Sequence, residues 1–257
     1  MPDRESLKKR AKGGSARAMF QLAESYGFYK SPVSTREAIR WYRAAADQGH
    51  ALSMYKLADY FESPWRDEKS PKAYHWYRAA AEQGYLPAYF YVGDHLNEGR
   101  GCEKNVREAV QWFRRAALAG DHDCMLSFGY HLFYGEGVRR DRVQAVRWYR
   151  MAARKHNPDA YFNLALCYYK GDVVPQSYKK AAEYLKKANR HKSYHNPRAE
   201  HWLADLYEKG FGVRKSARWA RYWREKADGI RNYRGVLKTP EYYKKLQEYV
   251  KKNCTQG

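Results

Sequence analysis

A large side chain, usually tryptophan, returns six times along this 257-residue chain at intervals of 35 to 39, as Trp41, Trp76, Trp112, Trp148, Tyr184 and Trp223. Each follows an alanine by three positions (Ala38, Ala73, Ala109, Ala145, Ala181, Ala220). Each precedes another by four (Ala45, Ala80, Ala116, Ala152, Ala188, Ala227). A second column keeps step with the first: Leu22, Leu57, Val92, Phe128, Leu164 and Leu203, every one followed at once by Ala or Gly. Four positions after that column stands Tyr26, Phe61, Leu96, Leu132, Tyr168 or Tyr207, and spacings of four put residues on one face of a helix. Two helices alternating through six registers predict a stack of helix pairs, each touching only its neighbours. Such a pattern constrains architecture strongly and chemistry hardly at all.

The first helix of each pair (helix A) carries the Leu22 column and the second (helix B) the Trp41 column. Small residues around a large ring read as holes around a knob, so the ring ladder is expected to be the internal packing of helix B. Glycines separate the helices, with GRG at Gly99–Gly101, GEGV at Gly135–Val138 and GFGV at Gly210–Val213, while QGH, QGY and AGD follow the first three B helices. Glycine there supplies the positive φ that ends a helix and reverses the chain. Two units depart from this. The second has the polar stretch Glu62–Pro71 with an extra Trp65, and the fifth has GDVVPQS at Gly171–Ser177 followed by the insert His191–Pro197.

WYRAAADQG (Trp41–Gly49), WYRAAAEQG (Trp76–Gly84) and FGYHLFYGEGVRRD (Phe128–Asp141) leading into AVRWYRMAA (Ala145–Ala153) resemble the Sel-one-like repeat, an α/α relative of the tetratricopeptide repeat. The resemblance runs from about residue 16 to about residue 228. It implies an all-α fold: a right-handed α/α superhelical solenoid of about six helix-pair repeats, capped by a helix at both ends. Residues 1–228 would form the solenoid, with a capping helix about 4–13 and repeats starting near 16, 51, 86, 122, 158 and 197; residues 229–257 would supply a linker and a C-terminal capping helix. The resemblance also implies a concave groove lined by the A helices and used to hold other proteins. Family members act as adaptors and regulators far more often than as catalysts.

Lys and Arg outnumber Asp and Glu by 49 to 28, a formal charge of +21. A field of that sign speeds encounters with nucleic acid, anionic membrane or an acidic protein. Cys102, Cys124, Cys167 and Cys254 occupy no common repeat position, so no disulfide ladder is expected and a reduced, cytoplasmic chain is the simplest reading. The N-terminal stretch lacks a signal-like apolar run, and no run approaches the roughly 18 residues that span a bilayer. Export by a machine that needs no such signal stays open, and a monomer is favoured.

With helix A lining the groove, candidate partner-binding residues lie two places either side of the Leu22 column. They are Phe20, Tyr55, Phe90, Leu126, Phe162 and His201 before it, and Glu24, Asp59, Asp94, Tyr130 and Asp205 after it, with Phe133, Tyr134 and Tyr169 nearby. An aromatic strip edged by acids suits a peptide with hydrophobic anchors and basic side chains. The competing reading packs the rings between helices and leaves the acids to water. A second candidate is a basic patch of Arg139, Arg140, Arg142 and Arg147 for an anionic partner, against the simpler reading of a solvated outer face. His191, His195 and His201, and the paired positions His95 and His131, are the nearest approach to a metal set, but no CxxC or HExxH is present. Nucleophile elbows and Walker-type loops are absent as well. The expectation is a non-enzymatic scaffold without metal or cofactor that binds a polypeptide, as a bacterial regulator or immunity-type neutraliser. The alternative is a basic scaffold whose convex face meets nucleic acid, anionic membrane or an acidic protein.

Overall fold

The computed structural model describes residues 3–28, 31–62, 71–190 and 196–229. Trp65, His191, His195, Cys254 and the expected C-terminal linker and helix lie outside those residues. All regular elements among the described residues are α-helices: α1 (Arg4–Lys12), α2 (Ala16–Tyr26), α3 (Pro32–Ala46), α4 (Ala51–Phe61), α5 (Pro71–Glu82), α6 (Leu86–Glu98), α7 (Val106–Leu118), α8 (His122–Tyr134), α9 (Arg142–Arg154), α10 (Pro158–Lys170), α11 (Tyr178–Ala188), α12 (Pro197–Lys209) and α13 (Ala217–Ala227). The A helices are α2, α4, α6, α8, α10 and α12, and the B helices are α3, α5, α7, α9, α11 and α13. The chain divides between Arg140 and Asp141 into two compact units. In the first, α1 through α8 each pack on the next; in the second, α9 through α13 do the same. None of these helices is long and apolar enough to cross a membrane.

Local chemistry sets the helix starts. Ser15, Ser31, Asn105, Asp121, Asp141, Asn157, Ser177, Asn196 and Ser216 each cap a helix, the side-chain oxygen accepting the backbone N–H three residues on. Each cap satisfies one of the donors that a helix start leaves over and contributes about 1 kcal/mol.

The interior differs from the sequence expectation by one residue. The deepest slot of helix B belongs not to the Trp41 column but to the residue after it. Tyr42 is 1% exposed, Tyr77 0%, Phe113 3%, Tyr149 2% and Leu185 1%. Among the tryptophans of the ladder only Trp112 is buried; Trp41, Trp76, Trp148 and Trp223 are half-buried at the flank. The buried stripe of α3 is Ala38, Tyr42, Ala45 and Ala46, which centres the face on Tyr42. Alanines at −3 and +4 from Trp41 are equally at −4 and +3 from Tyr42, so the spacing fits both positions and only packing separates them.

The small residue after the Leu22 column lets a neighbouring ring come close. A Cβ placed on Gly93 of α6 would come within 2.6 Å of the Phe113 ring, so that ring lies against bare backbone. The second glycine of two turns has a further duty. Gly137 sits at φ +70 with Val106 O only 2.7 Å from where its Cβ would be. Gly212, at φ +67, lies against the Tyr178 backbone in the same way. Val106 and Tyr178 open α7 and α11, so each turn rests on the first residue of the preceding repeat's B helix. A side chain at either glycine would push the two backbones apart.

In the second unit Phe162, Ala165, Ala182, Leu185, Ala188, Ala199, Leu203 and Leu206 form an apolar core, flanked by Tyr184, Trp202 and Trp223. At the other end of the chain, Leu7 and Ala11 of α1 pack with Ala18, Met19, Leu22 and Ala45.

Candidate functional site

The rings expected to face a groove divide into two sets. Phe20 lies against Tyr42 and His50, with centroids at 5.9 and 5.0 Å. Tyr55 is enclosed by Tyr77, Tyr85 and Tyr91 at 5.2 to 5.8 Å. Phe90 meets Tyr91 and Phe113. Phe162 is 2% exposed within the second unit's core, with the Arg198 guanidinium 4.7 Å over its ring. Leu126 is half-buried. Tyr169 packs edge-on to Trp202 at 4.6 Å. Phe162 is therefore a core residue rather than a groove residue, and Phe20, Tyr55 and Phe90 serve chiefly as packing between successive helices. The reason is size: a helix pair this rich in alanine leaves spaces that only large rings fill.

Tyr130 and Tyr134 are the exception. They stand one turn apart on α8, are 42% and 55% exposed, and their rings meet at 4.6 Å. Phe133 adds an edge contact to Tyr134 at 5.2 Å. Tyr130 occupies the position that carries Glu24, Asp59 and Asp94 on the other A helices of the first unit.

The acids are less available than the pattern suggested. Glu24 accepts the Tyr42 hydroxyl and Asp94 is paired with Arg100. In the second unit Asp205 lies 3.7 Å from Arg224, and His201 lies 3.4 Å from Asp228. Asp59 is exposed. Of the basic set, Arg139 and Arg140 are exposed in the first unit and Arg147 is exposed in the second. Arg142 lies 3.6 Å from Asp172, which partly neutralises it.

A polar cluster that the sequence reading did not single out lies between the second and third repeats. Glu62, just past α4, accepts the Tyr77 hydroxyl at 2.6 Å on one oxygen and faces His95 Nε2 at 3.1 Å with the other. His95 Nδ1 faces the Arg100 carbonyl at 2.7 Å, and the Arg100 guanidinium is 3.9 Å from Glu62. Burial pushes the Glu62 carboxyl up, but hydrogen bonds from His95 and Tyr77, with the charges of His95 and Arg100, outweigh it and hold the group below the ordinary carboxylate value. Burial, and then the hydrogen bond to Glu62, pushes the Tyr77 phenol up, so it stays protonated and donates. His131 repeats half of this arrangement, its Nδ1 3.1 Å from the Glu136 carbonyl and its ring stacked on Phe113. The shared histidine position thus ties a helix to its own glycine turn. Its sequence signal was there to be read: a histidine five residues before the middle of a Gly-x-Gly turn, twice. Among the described residues no group of three or more His, Cys, Asp or Glu converges as a metal set would.

The cluster can fix a repeat junction, and the α8 rings can contact another molecule; neither arrangement places a nucleophile beside a base. Comparison with known proteins agrees with the helix-pair geometry. The model of the Sel1 repeat matches residues 16–50, 51–85, 86–121, 123–157, 158–193 and 197–227, six copies over most of the chain. The chain belongs to the Sel1 repeat family. Sel1 repeat proteins are generally non-catalytic scaffolds, commonly engaged in protein interaction. A Sel1 repeat protein from Oxalobacter formigenes is 32% identical over 83% of this chain and 85% of its own, with a TM-score of 0.71. A protective antigen of uropathogenic Escherichia coli with the same repeat fold is 28% identical over 91% of this chain, with a TM-score of 0.77. This chain spans 50% of that antigen's length. A search of curated proteins finds no match.

Proposed function

We propose that this Sel1 repeat protein is a non-enzymatic scaffold that binds a polypeptide on the A-helix face of its first unit, with Tyr130 and Tyr134 as anchors. The observation that carries this reading is their exposure. Where most of the described rings pack between helices, two tyrosines one turn apart hold 42% and 55% of their surface in water. Tyrosine is suited to the role, since it offers a large rigid apolar face and a hydroxyl at low entropic cost. The exposed carboxylate Asp59, at the Tyr130 position of the second repeat, favours a segment carrying basic residues. A regulator or an immunity-type neutraliser would be a narrower use of the same face.

The test is a comparative pull-down read by quantitative mass spectrometry. Wild type is set against Tyr130→Ala/Tyr134→Ala, with Arg139→Gln/Arg140→Gln as control. Partners anchored by the rings should fall by at least about 30-fold with the tyrosine pair, the scale of two hot-spot truncations, and persist with the arginine pair. Equal recovery with and without the tyrosines would remove the basis of this reading.

A further inference from the structure

The last described helix breaks the repeat in a way the protein-binding reading does not use. At the position four before the Trp41 column the other repeats carry Glu37, Lys72, Glu108, Gln144 and Lys180, residues that suit water; the sixth carries Trp219. Two before that column they carry Ile39, Tyr74, Val110, Val146 and Ala182, which pack against neighbours; the sixth carries Arg221. An apolar position has become cationic and a polar position has become aromatic, on one helix. Neither change favours burial against another helix pair, and together they describe a surface.

Its geometry is specific. Trp219 is 47% exposed, and Tyr207 of α12 backs its ring at 6.1 Å in a near-parallel stack. Tyr222 sits edge-on at 5.3 Å. Ala217, Arg218, Trp219, Arg221 and Tyr222 line a cleft of about 660 Å³, within the range of small-ligand sites, roughly 300–1,000 Å³. Arg214, Lys215, Arg218 and Arg221 are all exposed, and none has a hydrogen bond or ion pair among the described residues. By contrast Arg224, one turn on, is held by Glu208 at 2.8 Å, and Lys226 is held by the buried Glu200 at 2.8 Å.

We propose that this arginine–tryptophan face of α13 binds single-stranded nucleic acid, the arginines neutralising phosphates and Trp219 stacking on a base. Arg218 and Arg221 lie about 5–6 Å apart on neighbouring turns, a separation that suits successive phosphates of one strand. Trp219 projects beside Arg218 and offers a π-face that any base can use, and a cationic track with interleaved aromatics is the shared design of sequence-tolerant single-strand binders. A membrane fits poorly, because an interfacial helix needs a continuous apolar face and this one has a single ring among arginines. An acidic peptide would use the arginines and leave the tryptophan without a role. The inference does not depend on the tyrosines of α8.

Fluorescence anisotropy of the full chain with a labelled oligodeoxythymidine of about 12 nucleotides tests it, since single-strand footprints run to roughly 4–16 nucleotides. Trp219→Ala should weaken binding about tenfold. Arg218→Gln/Arg221→Gln should lower the slope of log K against log salt by about 1.4, at roughly 0.7 per phosphate lost. Arg139→Gln/Arg140→Gln removes the same charge elsewhere and should leave both readouts near wild type. A thermal melt confirms that each variant is folded, which is expected because all these side chains are exposed. The proposal is overturned if Trp219→Ala binds as wild type, or if the control pair loses as much as Arg218→Gln/Arg221→Gln. It is overturned equally if labelled poly-glutamate, or vesicles with about 30% phosphatidylserine, bind as tightly and with the same dependence on Trp219.

Discussion

Tyr77 and Leu185 fill the same slot in helix B, one in the second repeat and one in the fifth, and both are sealed from water. The Tyr77 ring packs against Tyr55 and Tyr91, but its outer end is polar. Its hydroxyl ends on Glu62, which meets His95 and lies near Arg100. Tyr42, in the first repeat, likewise ends on Glu24. Around Leu185 the neighbours are Phe162, Leu203, Leu206 and alanines. The slot therefore fixes volume and leaves chemistry free. A hydrocarbon solution draws its stability from burial alone, whereas a polar solution ties the junction to a protonation state and to hydrogen bonds that must all be made.

The largest effect should come from the hydrocarbon side. Leu185→Ala leaves a cavity in a core already rich in alanine, and should cost about 3 kcal/mol in urea unfolding. The loss should be the same at pH 4 and pH 7, since the cluster is made of apolar residues and tyrosines, none of which changes charge between those values. A loss that varied with pH would break the contrast.

On the polar side, Glu62→Gln should cost about 2 kcal/mol at pH 7, the range for hydrogen bonds to a charged group. The Glu62 carboxyl titrates below its ordinary value of 4.5 in the folded chain. Its contribution is thus complete above that value and disappears as pH falls through the lower folded one. Wild type and variant should differ fully above the ordinary value of 4.5 and converge as pH falls below it, through the lower folded value. Parallel stability curves across that window would show that Glu62 is a spacer rather than a charge.

The smallest effect concerns the turn after helix B. The first three repeats close it on Gly49, Gly84 and Gly120; the fourth has His156, at φ +63, the one non-glycine residue with positive φ among the described residues. His156→Gly relieves a left-handed backbone worth about 1–2 kcal/mol but gives back roughly half of it in chain entropy. It also loses the 3.2 Å contact of His156 Nδ1 with Tyr161. A net gain of about 0.5 kcal/mol should raise the melting temperature slightly. A decrease would mean that the histidine side chain holds the turn more firmly than glycine does.

Much of this was legible in the residues. Two columns with spacings of four and a period near 36 give the helices, their order and their turns, because helical geometry leaves few other ways to bury them. The slot was misplaced by one because Trp41 and Tyr42 share the same alanines at helical distances. The deciding quantity is which ring the neighbouring helix covers, and that is not written in the intervals. The candidate groove suffered from the same limit. Phe20, Tyr55, Phe90 and Phe162 occupy the expected positions, yet their exposure depends on how closely the next pair approaches. Tyr130 and Trp219 were more readable than they were made to be. Trp219 is a ring where every other repeat places charge or amide, Tyr130 one where four of the other five place an acid, and both substitutions are visible without coordinates.

Gly137 and Gly212 carry a consequence for how such a chain can grow or be rearranged. Each lies in a turn of one repeat but is shaped to the start of a helix in the repeat before it, at Val106 and Tyr178. A cassette cut at the conventional borders would separate the two halves of that joint. Duplication or exchange of helix pairs should therefore succeed when the transplanted piece runs from the start of one B helix through the following Gly-x-Gly turn, so that both surfaces of the joint travel together.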